Sequence, residues 1–360
     1  MLRKKLYVIA DIRAGGTPSR NNPDYWNGNI PWVKISNING KYVTTYDETI
    51  TELGLKNSSA KLFEKETILY TIFATLGRVG ILQFDATTNQ AIAGIKIKDN
   101  SISTDYLYYY LRSLENYVKD IGNGAAQQNI NQTILKNFTV PVISKEKQNQ
   151  ICSELENIEN VLLKKQHDLA SLDELIKSRF IEMFGDPNFN DKNWDRLQIR
   201  DIGECVAGAT PSTKVNEYWE NGTISWLSSG EVHKRRIYST DSKITQSGYD
   251  HASTKMVPAH TVLLAMAGQG KTRGTAAMAE IPLCTNQSIC SIVNNEKINP
   301  EYLMEYLTLE YNELRSASNG GEGRGGLNLK IIGDFPINVP PINLQNEYAE
   351  FIKQIDKSKF

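Results

Sequence analysis

Residues 15–28 read GGTPSRNNPDYWNG and residues 208–222 read GATPSTKVNEYWENG, so Thr-Pro-Ser and Tyr-Trp recur 193 positions apart (17→210, 25→218). The echo continues in order along the chain. Asn27-Gly28, Ile30 and Trp32 are answered by Asn221-Gly222, Ile224 and Trp226. TTNQA (87–91) is answered by CTNQS (284–288), and DYLYYYL (105–111) by EYLMEYL (301–307). NINQTILKNFTVPV (129–142) is answered by LNLKIIGDFPINVPP (327–341). Gln148, Ile151, Leu155 and Ile158 match Gln345, Tyr348, Ile352 and Ile355. Matching blocks in one order with small drifts mean two homologous units, and 360 residues give each a core of its own.

The texture between the units is different. From Lys145 to Phe184 there is no Gly or Pro, and Ile151, Leu155, Ile158, Leu162, Leu169, Leu172 and Ile176 fall at 4-3-4 spacing, with Lys165 at the one polar seam position. This is the a/d signature of a coiled-coil helix. Ser144 is its N-cap, and Gly185-Asp186-Pro187 stops it. About 39 residues at 1.5 Å each make a rod of roughly 58 Å. The same pattern restarts after Pro340-Pro341 with Tyr348, Ile352 and Ile355 and reaches Phe360, so the two seams would pair antiparallel over part of their length. The expected division is 1–144, a spacer helix at 145–185, 186–341, and a second spacer helix from 342 to 360.

Within each unit the elements are mixed. ETILYTIF and GILQFDA, and TVLLAMA and SICSIV, read as strands; 104–121 and 299–317 read as amphipathic helices rich in Tyr and Leu. The fold class is therefore α/β (α+β): two homologous globular domains separated by long coiled-coil-type helices, a pseudo-two-fold repeat.

Several chemistries fail on the residues. Asn22-Pro23-Asp24-Tyr25 is one letter from the Asn-Pro-Pro-Tyr loop with which amino-methyltransferases hold a flipped base. The duplicate has Asn216-Glu217 where Pro and Asp stood, and no glycine-rich strand-to-helix turn seats a methyl-donor cofactor near the N-terminus. A metal-dependent nuclease needs an acidic-x-Lys after Pro23-Asp24, and none follows in the first 140 residues. AMAGQGKT (265–272) lacks the first glycine of a nucleotide-binding P-loop, and its counterpart TIFATLGRVG lacks Gly-Lys-Thr. Four scattered cysteines and four histidines form no C-x-x-C or H-E-x-x-H. No apolar run is long enough to span a bilayer and no signal peptide is evident, so a cytoplasmic protein without a structural metal is expected.

Charge distribution says more than the net −1. Residues 1–144 carry +4 (16 basic, 12 acidic) and residues 186–341 carry −3 (15 basic, 18 acidic), too little for a sequence-blind polyanion binder. The cations cluster instead in loops, as in HKRR (233–236) and KTR (271–273), which suits backbone positioning plus base readout.

These blocks together, Gly-x-Thr-Pro-Ser with Tyr-Trp-(x)-Asn-Gly and Trp, the Asn-Gln pair, and the Pro-Gln-heptad helix entry, resemble the specificity (S) subunits of type I restriction–modification systems over essentially the whole chain. The resemblance implies that each unit is a target-recognition domain reading one half of a split site in double-stranded DNA. It implies helical spacers, no catalytic centre and no cofactor in this chain. It implies two methyltransferase subunits carrying S-adenosylmethionine, and restriction subunits using ATP and Mg as partners. The aromatics Tyr25, Trp32, Tyr218 and Trp226 are read as scaffold, and the hydroxyls of Thr17, Ser19, Thr210 and Ser212 as scaffold or phosphate contacts. Candidate DNA-binding cations are Arg20, Lys34 and Arg78 in the first unit, and Lys214, Lys234, Arg235, Arg236, Lys271, Arg273 and Arg324 in the second. The competing readings are a two-domain interaction scaffold and a stand-alone adenine methyltransferase.

Overall fold

The computed structural model describes residues 2–123, 130–268, 270–318 and 326–359. Arg324 lies outside the described residues. Two compact units divide within the spacer helix, between Lys164 and Lys165.

In the first unit a five-stranded sheet runs in the order Ala10–Ala14, Ile92–Ile97, Ile68–Thr71, Val79–Leu82, Tyr42–Val43. Its neighbours are antiparallel except the last pair, where Tyr42 lies parallel to Ile81. Successive residues point to opposite faces, and both faces are covered. Ile68, Tyr70, Ile81 and Ile95 pack with Leu107 and Leu111 of the helix Thr104–Ser113. Leu69, Leu82 and Ile92 pack with Val33 on the other side. Val33 belongs to a three-stranded sheet ordered Glu48–Ile50, Trp26–Val33, Thr87–Thr88.

The second unit repeats this plan. Its five strands run Gly203–Ala207, Ile289–Asn294, Thr261–Ala265, Ala276–Ala279, Arg236–Ile237, and its three run Ser242–Ile244, Ile224–Leu227, Cys284–Thr285. Val262 and Leu264 face one core, Leu263 and Ala265 the other.

Each helix expected to be continuous after the last strand is broken once: Thr104–Ser113 with Glu115–Asn123, and Pro300–Leu309 with Tyr311–Ala317. Breaking the helix lets the second segment turn Val118 or Leu314 into the core. The second break is marked by Glu310, nearly buried, with one carboxylate oxygen lacking a hydrogen-bond partner among the described residues. Burial, then Glu313 and Asp186, push this carboxyl from the ordinary 4.5 up to about 7, against the pull of Arg196. A raised folded-state value means the fold favours the protonated acid. The second unit's stability is therefore fully present below about pH 4.5 and falls by about 2–3 kcal/mol as pH climbs through 7. Urea midpoints between pH 5 and 8 should show this slope in the native chain and lose it in Glu310→Gln.

One helix spans Lys145–Phe184 and Gly185 follows at φ +80°, the left-handed stop. The repeated glutamine sets how each helix meets its unit. Gln148 is fully buried, accepting from the Ser103 amide (2.8 Å) and donating to the Ser101 and Ile143 carbonyls (2.6 and 2.9 Å). Gln345 accepts from the Asn299 amide (2.8 Å) and donates to the Pro340 carbonyl (2.7 Å).

The seam residues divide between environments. Ile151 is half-buried and Leu155 packs on the first unit's core. Ile158, Leu162 and Leu169 are exposed, Leu172 is half-buried, and Ile176 is buried in the second unit. The helix Ile342–Lys359 buries Tyr348 and Ile352, with Ile355 packed beside them, in the second unit's own core. There Tyr348 meets Phe180 and Phe184 (5.5 and 5.4 Å between ring centroids), and its hydroxyl donates to the Ile176 carbonyl (3.4 Å). Its seam is satisfied by a globular core and one end of the long helix rather than by a matched run of seam positions.

Candidate nucleic-acid interface

In the first unit four segments converge at one end of the large sheet. The Gly15 and Gly16 amides donate to the Ile92 and Thr88 carbonyls (2.9 and 2.8 Å), joining the Thr-Pro-Ser loop to the Asn-Gln turn. A Cβ on Gly15 would stand 2.0–2.5 Å from Thr88 and Asn89, so only glycine permits this approach. The Thr17 hydroxyl donates to Gln90 (2.6 Å). The hairpin tip between the Ile68–Thr71 and Val79–Leu82 strands joins them, with the Ile72 amide on the Ala91 carbonyl (2.8 Å). The fourth segment enters where the Ile130 amide donates to the Ile72 carbonyl (3.1 Å).

Two tryptophans hold this loop end together. Their rings meet edge to face at 5.2 Å. Trp32 Nε1 donates to the Gly16 carbonyl and Trp26 Nε1 to the Ser19 carbonyl, both at 3.1 Å. The second unit repeats the tryptophan pair, the Thr–Gln bond and the hairpin-tip bonds. Trp219 and Trp226 meet at 5.0 Å, and their indoles donate to Ser212 (3.2 Å) and Ala209 (3.0 Å). Thr210 donates to Gln287 (2.6 Å), the Met266 amide reaches the Ser288 carbonyl (2.8 Å), and the Leu327 amide reaches Met266 (3.1 Å). Gln90 and Gln287 were legible as repeated letters but not as the partners of Thr17 and Thr210.

The side chains displayed on this frame differ between units. At the first, Phe73 and Arg78 stand exposed on the hairpin tip, and Arg78 has no ion-pair partner among the described residues. Ser19 and Arg20 are exposed on the Thr-Pro-Ser loop, and Arg20 and Lys34 both pair with Glu48 (2.6 Å each). At the second, Ser212, Lys214 and Lys271 are exposed and Arg273 is half-buried. The Gly270 and Arg273 carbonyls accept from Arg315 (2.9 and 3.0 Å), and the Lys271 carbonyl accepts from the Tyr311 hydroxyl (3.0 Å). Gly270, Lys271 and Arg273 are thereby fastened to the helix Tyr311–Ala317. Just beyond this run the Gly274 and Thr275 amides donate to the Ala265 and Thr272 carbonyls (2.9 and 3.1 Å).

Three cations of the HKRR run are ion-paired within the second unit. Lys234 pairs with Glu231 and Asp241 (2.8 and 2.7 Å), and Arg235 with the buried Glu305. Arg236, only 16% exposed, is held by Glu280, Glu301 and Asp356. It joins the edge strand to the helix Pro300–Leu309 and to the C-terminal helix. The first unit places Lys41 similarly, against Asp105 (2.7 Å) and Glu156. Burial opposes the Lys41 charge, but Asp105 and Glu156 outweigh it and raise the ammonium's pKa. Lys41 and Arg236 fasten each unit to its own stretch of helix. For Arg235 and Arg236 the paired carboxylates lie far away in sequence, where no local reading of HKRR finds them.

Among the described residues no His, Cys, Asp and Glu cluster could hold a metal, and no helix is long and apolar enough to cross a membrane. Two modules of one design, each ending in a loop cluster whose frame is repeated and whose displayed charges are not, define a paired recognition protein. Residues 3–172 and 191–360 each match the type I restriction modification DNA specificity domain, and the chain belongs to that family, as a DNA sequence-specificity subunit with two target-recognition domains. A Methanocaldococcus jannaschii type I restriction enzyme specificity subunit, MjaIX, is 26% identical, the match covering 86% of this chain and 75% of that protein. An Escherichia coli specificity subunit is 23% identical over 84% of this chain and 76% of its own. The crystal structure of the S subunit from M. genitalium shares the fold, with a TM-score of 0.60 at 15% identity over 99% of this chain and 90% of that one.

Proposed function

We propose that each unit reads one half of a split DNA site through its loop end, and that the chain carries no catalytic centre. On this reading it directs methyltransferase subunits, which bring S-adenosylmethionine, and restriction subunits, which bring ATP and Mg, to that site. The reading rests on one observation above the others. The Thr–Gln bond, the two indole bonds to the Thr-Pro-Ser loop and the bond from hairpin tip to Asn-Gln turn recur in both units, while the exposed residues on them differ. A shared frame with variable display is what reading two different half-sites requires.

Co-expression with a methyltransferase partner, followed by mapping of methylated adenines, should return a two-part motif. The purified chain with S-adenosylmethionine and DNA alone should transfer no methyl group; transfer would overturn the reading. Inserting four residues near Lys165 lengthens the helix by about 6 Å. The preferred gap between half-sites should then grow by roughly two base pairs at ~3.4 Å each.

A further inference from the structure

The repeat supplies an internal control for which residues read bases. The strand register aligns Trp32 with Trp226 and places Glu48 and Ser242 opposite them. Counting from these anchors and from Thr17 and Thr210, Arg20, Lys34 and Glu48 correspond to Thr213, Ser228 and Ser242. Three charged residues that touch one another in the first unit are thus all hydroxyl residues in the second, on a common frame. Scattered drift between duplicates would not change one contact set together.

The geometry of the set is specific. The Arg20 guanidinium lies 3.6 Å from the Trp26 ring centroid and 5.0 Å from that of Trp32. Its Nη2 donates to Glu48 Oε2, and Lys34 Nζ donates to the other oxygen, Oε1. The Arg20 side chain remains 51% exposed while shelf and carboxylate restrict its rotamers. Burial works against the Glu48 charge, but the bonds from Lys34 and Arg20 prevail and hold its carboxyl below the usual range. A planar cation held over an aromatic shelf, on the same loop as Thr17, presents a fork of N–H donors. Its match among base edges is guanine, through O6 and N7.

We propose that Arg20 is a guanine-reading residue of the first half-site and that Glu48, bridging it to Lys34, is its positioning residue. This rests on the split-site reading above. The second unit, with Thr213, Ser228 and Ser242, reads no guanine from the corresponding place.

The test uses the chain assembled with its methyltransferase partner and compares methylation maps. Arg20→Lys keeps the charge but loses the fork. It should relax preference at one guanine of the first half by roughly 10- to 100-fold and leave the second half unchanged. Glu48→Gln should lower discrimination at that same position while raising total DNA affinity and steepening its salt dependence, because a carboxylate no longer offsets the two cations. A surface ion pair with only a structural role would not move base preference. An unchanged motif in both variants overturns the proposal. So does simultaneous blurring of every first-half position in Arg20→Lys, which would make Arg20 part of the frame. A wild-type complex that yields no two-part motif instead overturns the split-site reading itself.

Discussion

Replacing Arg236 by methionine is expected to lower the stability of the second unit by about 3–5 kcal/mol, since breaking a buried ion network from one side strands its partners. The partners are Glu280, Glu301 and Asp356, whose side chains are 12%, 20% and 24% exposed. Both terminal nitrogens of Arg236 bond Glu301 (3.0 and 2.8 Å), and its Nη2 also reaches Asp356 at 2.8 Å. Methionine fills the volume and offers none of this, leaving three carboxylates facing one another. Urea denaturation of the whole chain measures the loss. Hydrogen exchange locates it, with the helix Ile342–Lys359 losing protection first because Asp356 is its tie to the edge strand. Adding Glu280→Gln and Glu301→Gln should recover part of the stability, because the cost lies in carboxylate charge that Arg236 no longer offsets rather than in the missing arginine. Arg236→Lys should cost less, as the first unit already uses Lys41 for the corresponding tie.

The contrast between Arg236 and Trp226 shows what a single sequence reveals here. Trp226 was legible as scaffold because its role is local: it bonds the loop of its own motif, and that motif occurs twice. Arg236 was not. Its partner Glu301 lies 65 residues away, and nothing in HKRR distinguishes a cation aimed inward from one displayed to a polyanion. The helices follow the same logic. Heptad spacing establishes the spacer helix because helical periodicity is local. Burial of the seam depends on what each stretch meets, and Leu155, Leu162 and Ile176 meet a core, solvent and another core. The breaks at Leu114 and Glu310 were missed for a related reason. Neither Gly nor Pro marks them, and tertiary packing of Val118 and Leu314 overrides local propensity.

Trp32→Ala should have an effect of similar size confined to the first unit, about 3–5 kcal/mol for removing a large aromatic from a packed site. The indole is 4% exposed, meets Trp26 edge to face, lies under Arg20, and donates to the Gly16 carbonyl. That carbonyl belongs to a tightly packed segment, where a Cβ on Gly16 would stand 2.3–2.5 Å from Ser59 and Ala60. Losing the indole therefore removes the frame on which the first half-site is read, while the Trp219–Trp226 frame stays intact. Methylation maps of the assembled complex should lose base preference across the whole first half and retain the second, and Trp226→Ala should give the mirror image. Trp32→Phe separates the two contributions. It keeps much of the ring contact with Trp26 but cannot donate to Gly16, so it should cost about 1–3 kcal/mol, the range for a buried acceptor left unpaired. If Trp32→Phe blurred the first half-site as completely as Trp32→Ala, the indole N–H bond rather than the ring packing would be what fixes the Thr-Pro-Ser loop.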